Sequence, residues 1–142
     1  MSSRPVALLA ALALVVAAAG CGGPMRADEL SRSIDTLASA AAEGALLADG
    51  AAQDRTKATF TRAHARELGE TVEHEAEKLS DATANGAVAT DKADAVELAD
   101  RISQQLGQLQ TAPDDRAGAR SAGDRLRALA DEATRLAEDA GP

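Results

Sequence analysis

The sequence predicts an all-α protein: an antiparallel up-down-up-down four-helix bundle behind an N-terminal signal helix. Alanine, leucine, glutamate, aspartate and arginine dominate the chain, a mixture that favours helix. Beyond the first apolar stretch there is no run of β-branched residues that would favour a strand. Apolar residues instead recur at steps of three and four in four separate stretches, which is the pattern of amphipathic helices.

The first helix is predicted from about Met25 to Ala48, followed by a turn at Asp49-Gly50. Small and apolar residues form one stripe along it: Leu30, Ile34, Leu37, Ala41, Ala45 and Ala48. The arginines and aspartates of this stretch lie mostly off the stripe, so one face of the helix is predicted to be buried.

A second and longer helix is predicted from Ala51 or Asp54 to Ala84. Asn85-Gly86 ends it, because both residues tolerate the left-handed conformation that caps a helix. Its predicted apolar face contains Phe60, His64, Leu68, Val72 and Leu79.

The third helix is predicted to begin at Thr90, an N-cap residue followed by the acid Asp91. Its stripe contains Ala95, Leu98, Ile102, Leu106 and Leu109. Pro113 is expected in the first turn of the fourth helix, where proline is tolerated. The stripe of that helix contains Ala119, Ala122, Leu126, Leu129, Ala130, Ala133, Leu136, Ala137 and Ala140. A three-helix bundle with a loosely attached first helix is the alternative to four packed helices.

The N-terminus has the features of an export signal. Arg4 precedes an uncharged apolar run from Val6 to Ala19, 14 residues long. A membrane-spanning helix needs about 20 residues. A basic start, a short apolar centre and small residues at the end are typical of a secretory signal peptide.

The segment Ala18-Ala19-Gly20-Cys21 resembles the lipobox of bacterial lipoproteins. The resemblance implies cleavage between Gly20 and Cys21 and a diacylglycerol thioether on the Cys21 thiol. The chain then divides into a signal peptide (residues 1–20), a lipidated cysteine with a flexible spacer (21–24) and a helical domain (25–142). The alternatives are an ordinary signal peptide cut near Ala19, with a free thiol at Cys21, and an uncleaved membrane anchor.

The charge of the chain limits its partners. The net charge is −8, and without Arg4 the remaining 14 basic and 23 acidic residues give about −9. Such an acidic surface argues against nucleic acid and against electrostatic attachment to anionic lipid. We therefore expect membrane contact only through acyl chains on Cys21. Because Cys21 is the only cysteine, an exported chain has no internal partner with which it could form a disulfide. Because large apolar residues are few, self-association could support the domain.

Few residues offer chemistry. Side chains three or four residues apart on a helix are neighbours, which makes His64 with Glu67, and Glu70 with His74, the candidate ligand or metal patch. Ten residues of helix span about 15 Å, so the two histidines cannot share one ion. No serine lies in a nucleophile motif and no glycine-rich phosphate loop is present, so no catalytic residue and no cofactor is predicted.

The sequence therefore predicts a non-enzymatic, lipid-anchored envelope protein at the outer face of the cell membrane. Its acidic helical bundle would act by contact, either in binding a protein partner that the sequence does not identify or in a structural role. The alternative is a carrier or sensor that holds a small apolar ligand or a metal ion between its helices.

Overall fold

The structure is a computed structural model that describes residues 23–141. Those residues form four α-helices joined by connections of four or five residues: α1 (Ala27–Ala52), α2 (Ala58–Asp81), α3 (Gly86–Thr111) and α4 (Arg116–Ala140). At 1.5 Å per residue each helix is about 36 to 39 Å long. No strand forms within the described range, and none of its four helices is both long and apolar enough to cross a membrane.

The four helices pack as an antiparallel bundle. Successive helices run in opposite directions because each short connection turns the chain straight back. α1 packs chiefly on α4 and α2 packs chiefly on α3, while α1 also touches α3 across the bundle. The predicted four-helix bundle is confirmed. The alternative with a loosely attached first helix is wrong, because Leu30, Ile34 and Leu37 of α1 are fully buried.

The predicted apolar stripes of α1, α3 and α4 form the core. All stripe residues of α1 and α3 are buried, and on α4 only Ala130 and Leu136 are half-buried. The prediction for α2 is wrong at one end of the helix, because Phe60 is 55% exposed. Thr61 takes the inward position instead, and its hydroxyl lies 3.1 Å from that of Thr56.

The first helix continues through the predicted turn at Asp49-Gly50 and ends at Ala52. Gly50 is buried, and a Cβ atom at that position would lie 2.8 Å from the Cγ2 atom of Thr56. Gly50 therefore lets the α1–α2 connection fold closely against the helix rather than ending it. The chain reverses at Asp54, whose φ of 58° is a conformation that aspartate tolerates better than most residues.

Four other predicted boundaries are also wrong. The second helix begins at Ala58 rather than at Ala51, which lies in α1, or at Asp54, which lies in the connection. The second helix ends at Asp81, before the Asn85-Gly86 pair. That pair begins α3 instead: Asn85 is the N-cap, and Gly86 adopts a φ of 57°. The fourth helix begins after Pro113, at Arg116, because the side chain of Asp115 caps it by accepting a 2.9 Å hydrogen bond from the Gly118 amide.

Small residues bring α1 and α4 together. A Cβ atom on Gly123 of α4 would lie 3.2 Å from the Cβ of Ala48 and 3.7 Å from the carbonyl oxygen of Ala45, both on α1. A Cβ atom on Gly44 would lie 2.7 Å from Leu106 and 3.2 Å from Leu126. α1 and α4 therefore approach closely at Gly123, whereas a Cβ atom at Gly44 would have to displace the ends of the Leu106 side chain on α3 and the Leu126 side chain on α4.

This close contact predicts the effect of substitutions at Gly123. Gly123→Leu should lower the free energy of unfolding by about 1 to 3 kcal/mol, because the larger side chain must push α1 away from α4. Urea denaturation followed by circular dichroism measures the change. Gly69→Leu on α2 is the matched control, since a Cβ atom at that position meets nothing within 4 Å. If the two variants have equal stabilities, the close contact between α1 and α4 is contradicted.

Candidate functional site

The N-terminal segment reaches the bundle at a defined end. The Met25 amide donates a 2.7 Å hydrogen bond to the carbonyl oxygen of Thr83, in the α2–α3 connection. We call this the entry end; the C-terminus of α4 lies there as well, since Ser31 near the start of α1 donates to the carbonyl oxygen of Ala137. The opposite end, formed by the α1–α2 and α3–α4 connections, is the far end. The predicted cleavage and lipidation residues, Gly20 and Cys21, lie outside the described residues.

His64 is the centre of the polar contacts between α1 and α2. Its Nε2 atom lies 2.7 Å from a carboxylate oxygen of Glu43 on α1. Its Nδ1 atom lies 3.4 Å from a carboxylate oxygen of Glu67, one turn along α2. The ring also stacks on Phe60, with 5.6 Å between ring centroids and 23° between the planes. His64 therefore holds an exposed aromatic ring in place and links two helices.

The structure brings together only part of the candidate metal patch. His64 and Glu67 are in contact, but Glu70 pairs with Arg66 at 3.2 Å and His74 is exposed further along the helix. Glu43 and Glu67 approach opposite nitrogens of the His64 ring, so their oxygens do not converge with one nitrogen on a common point. Among the described residues no three His, Cys, Asp or Glu side chains form a group suited to a metal ion.

The sequence alone does not indicate the role of Glu43. It lies 21 positions before His64 on another helix, so no local spacing could have indicated the contact. The Glu67 contact follows from the three-residue spacing on a single helix and could be predicted. The contact between Arg101 and Glu132 is likewise one that local spacing could not indicate, because it joins α3 to α4. It consists of two hydrogen bonds of 2.8 and 3.0 Å. The hydrogen bond to Glu132 raises the pKa of Arg101.

Gln105 is a buried polar residue whose side-chain oxygen lacks a hydrogen-bond donor within residues 23–141. It lies on α3 against α4 and is only 5% exposed. Its Oε1 atom has no hydrogen-bond partner among the described residues. Arg101 and Arg125 line the shallow surface depression next to it. An unsatisfied buried acceptor lowers stability, because the amide oxygen loses its contact with water and gains no bond in return.

Removing the unsatisfied acceptor should therefore stabilise the bundle. Gln105→Leu is expected to raise the free energy of unfolding by about 1 kcal/mol, since leucine fills a similar volume without a buried oxygen. Chemical denaturation measures the change. The control is Gln104→Leu, at an exposed neighbouring position, where we expect a change of less than about 0.5 kcal/mol. A clear loss of stability in Gln105→Leu, greater than in the control, would show that Oε1 is satisfied in solution.

No protein-family model matches this chain, and neither a curated protein nor a solved structure matches it. The roles considered for His64, Glu43, Glu67 and Gln105 therefore rest on the contacts of these residues in the bundle.

Proposed function

We propose that the chain is a lipid-anchored, non-enzymatic protein of the bacterial envelope that acts by contact with another protein. The sequence Ala18-Ala19-Gly20-Cys21 carries this proposal, because its resemblance to a lipobox implies export and acylation of Cys21. Two acyl chains give stable membrane anchoring, whereas a single chain gives only marginal binding.

The fold supports display of the bundle away from the bilayer. Met25 enters at one end of a bundle about 37 Å long, so the α1–α2 and α3–α4 connections lie at the opposite end. The composition of Gly22-Gly23-Pro24 favours a short spacer over a helix that continues from the anchor. An anchored chain would therefore present its far end to partners in the envelope.

The anchor is tested by the location of a cysteine variant. Cys21→Ser should move the protein from the membrane fraction to the soluble exported fraction, or leave it as an uncleaved precursor, because serine has no thiol for the thioether. Gly22→Ser is the control and should remain in the membrane fraction with the unchanged chain. Immunoblotting of fractionated cells measures both variants. Equal membrane retention of Cys21→Ser with a cleaved N-terminus would remove the lipid anchor from the proposal.

The metal-carrier alternative has one observation in its favour, the position of His64 between Glu43 and Glu67. We expect Zn²⁺ to leave the melting temperature unchanged, because the two carboxylates approach opposite ring nitrogens and do not surround one point. Thermal melting with and without Zn²⁺ tests this. A Zn²⁺-dependent rise that His64→Ala abolishes and His74→Ala preserves would favour the carrier function instead.

A further inference from the structure

Charge is unevenly distributed along the bundle axis. The half next to the entry end, residues 26–39, 70–98 and 129–141, has 15 acidic and 5 basic residues. The far half, residues 40–69 and 99–128, has 8 acidic and 9 basic residues. Nearly all of the net negative charge therefore lies in the half nearest the N-terminal segment, and the far half is close to neutral with a local excess of arginine.

In α2 and α4 this charge distribution runs against the one that the helix dipole favours. A helix is stabilised by acidic residues near its N-terminus and basic residues near its C-terminus. In α2 the order is largely reversed: Arg62 and Arg66 precede every acid, and the C-terminal half contains Glu70, Glu73, Glu75, Glu77 and Asp81 with Lys78 as its one basic residue. α4 likewise begins with Arg116 and ends with Glu138-Asp139. An arrangement that lowers helix stability in this way is expected where residues serve a function.

The positive region on α2 also contains the exposed ring of Phe60. From residue 55, in the α1–α2 connection, to residue 66 on α2 the chain has four basic residues and no acid, and the exposed acids Glu67 and Glu70 follow directly. The exposed positions of this basic stretch from residue 57 onward form what we call the basic face: Lys57, Thr59, Phe60, Arg62, Ala63 and Arg66. By helical rotation, Phe60 lies on the α1 side of this face and Arg62 on the α3 side, with the small residues Thr59 and Ala63 between them.

Contacts within the bundle hold two side chains of the basic face in place. Phe60 stacks on His64, which Glu43 holds from α1. The Nε atom of Arg62 donates a 3.3 Å hydrogen bond to the carbonyl oxygen of Gln110 at the end of α3. A side chain that is ordered before binding loses less entropy when a partner arrives. Arg66 pairs with Glu70, but both are well exposed, so an incoming carboxylate can replace that pair at little cost.

We propose that the basic face binds an acidic segment of a partner protein that carries an apolar side chain among its carboxylates. Lys57, Arg62 and Arg66 meet the carboxylates, and Phe60 packs against the apolar side chain. Arginine is enriched among the residues that contribute most to binding energy at protein interfaces, and phenylalanine is enriched in interfaces generally. The acidic half of the bundle repels the same segment, which restricts binding to the far half.

The apolar contact favours a protein segment over a phosphate polymer. A polyanion without apolar groups would meet the arginines and leave the Phe60 ring, which is 55% exposed, without a partner. An acidic segment with leucine or a similar residue satisfies both parts of the face. This inference rests on the proposed function and names the partner surface and the partner's chemistry.

The test uses the full chain in non-ionic detergent and a fluorescein-labelled synthetic peptide of glutamates interrupted by a pair of leucines. Fluorescence anisotropy at low salt gives the dissociation constant. We expect Arg62→Glu and Phe60→Ala each to weaken binding by about tenfold or more. Arg135→Glu is the matched control, because it makes the same change in net charge in the acidic half. We expect it to alter binding by less than about twofold. Circular dichroism checks that each variant folds.

Three results would overturn the inference. The first is that the peptide fails to bind the unchanged chain. The second is that Arg135→Glu weakens binding as much as Arg62→Glu does. The third is that inorganic polyphosphate binds more tightly than the peptide and Phe60→Ala has no effect, which assigns the face to a phosphate polymer. None of these results depends on Cys21, whose modification is measured separately by fractionation, so failure of this inference and failure of the lipid anchor can be told apart.

Discussion

The close contact between α1 and α4 is the constraint on which the rest of the bundle depends. Gly123 of α4 has no side chain where it faces Ala48 and the Ala45 carbonyl of α1, and both of these alanines are buried in the contact. Dispersion attraction falls steeply with distance, so a core with few large side chains gains most when its helices are close.

Much of the fold could be predicted from the sequence, because three of the four apolar stripes are regular and belong to single helices. The errors arose where a residue is used in a tertiary contact that the local sequence does not reveal. Gly50 was read as the end of a helix, yet it is a close-packing position beneath Thr56. Phe60 was assigned to the core by its hydrophobicity. In the bundle Thr61 fills the inward position and leaves the ring of Phe60 at the surface.

In the candidate site, too, contacts within one helix could be predicted from the sequence and contacts between helices could not. The contact of His64 with Glu67 is a one-helix relation and follows from their spacing. The shorter contact with Glu43 needs α1 and α2 to pack in one particular register, which no pattern in either segment specifies. The uneven charge was also present in the sequence, but it becomes a property of the two ends only once the direction of each helix is known. Arg62 and Arg116 are far apart in the chain, yet both lie in the far half of the bundle.

We propose that a lipid on Cys21 holds this bundle to the membrane at its entry end, with the basic face at a distance from the bilayer. Intact-mass spectrometry of the protein extracted from membranes tests that placement most directly. The predicted result is a chain that begins at Cys21 and carries the additional mass of a diacylglyceryl group. A mature chain with an unmodified Cys21 thiol, or one that begins at another residue, would contradict it.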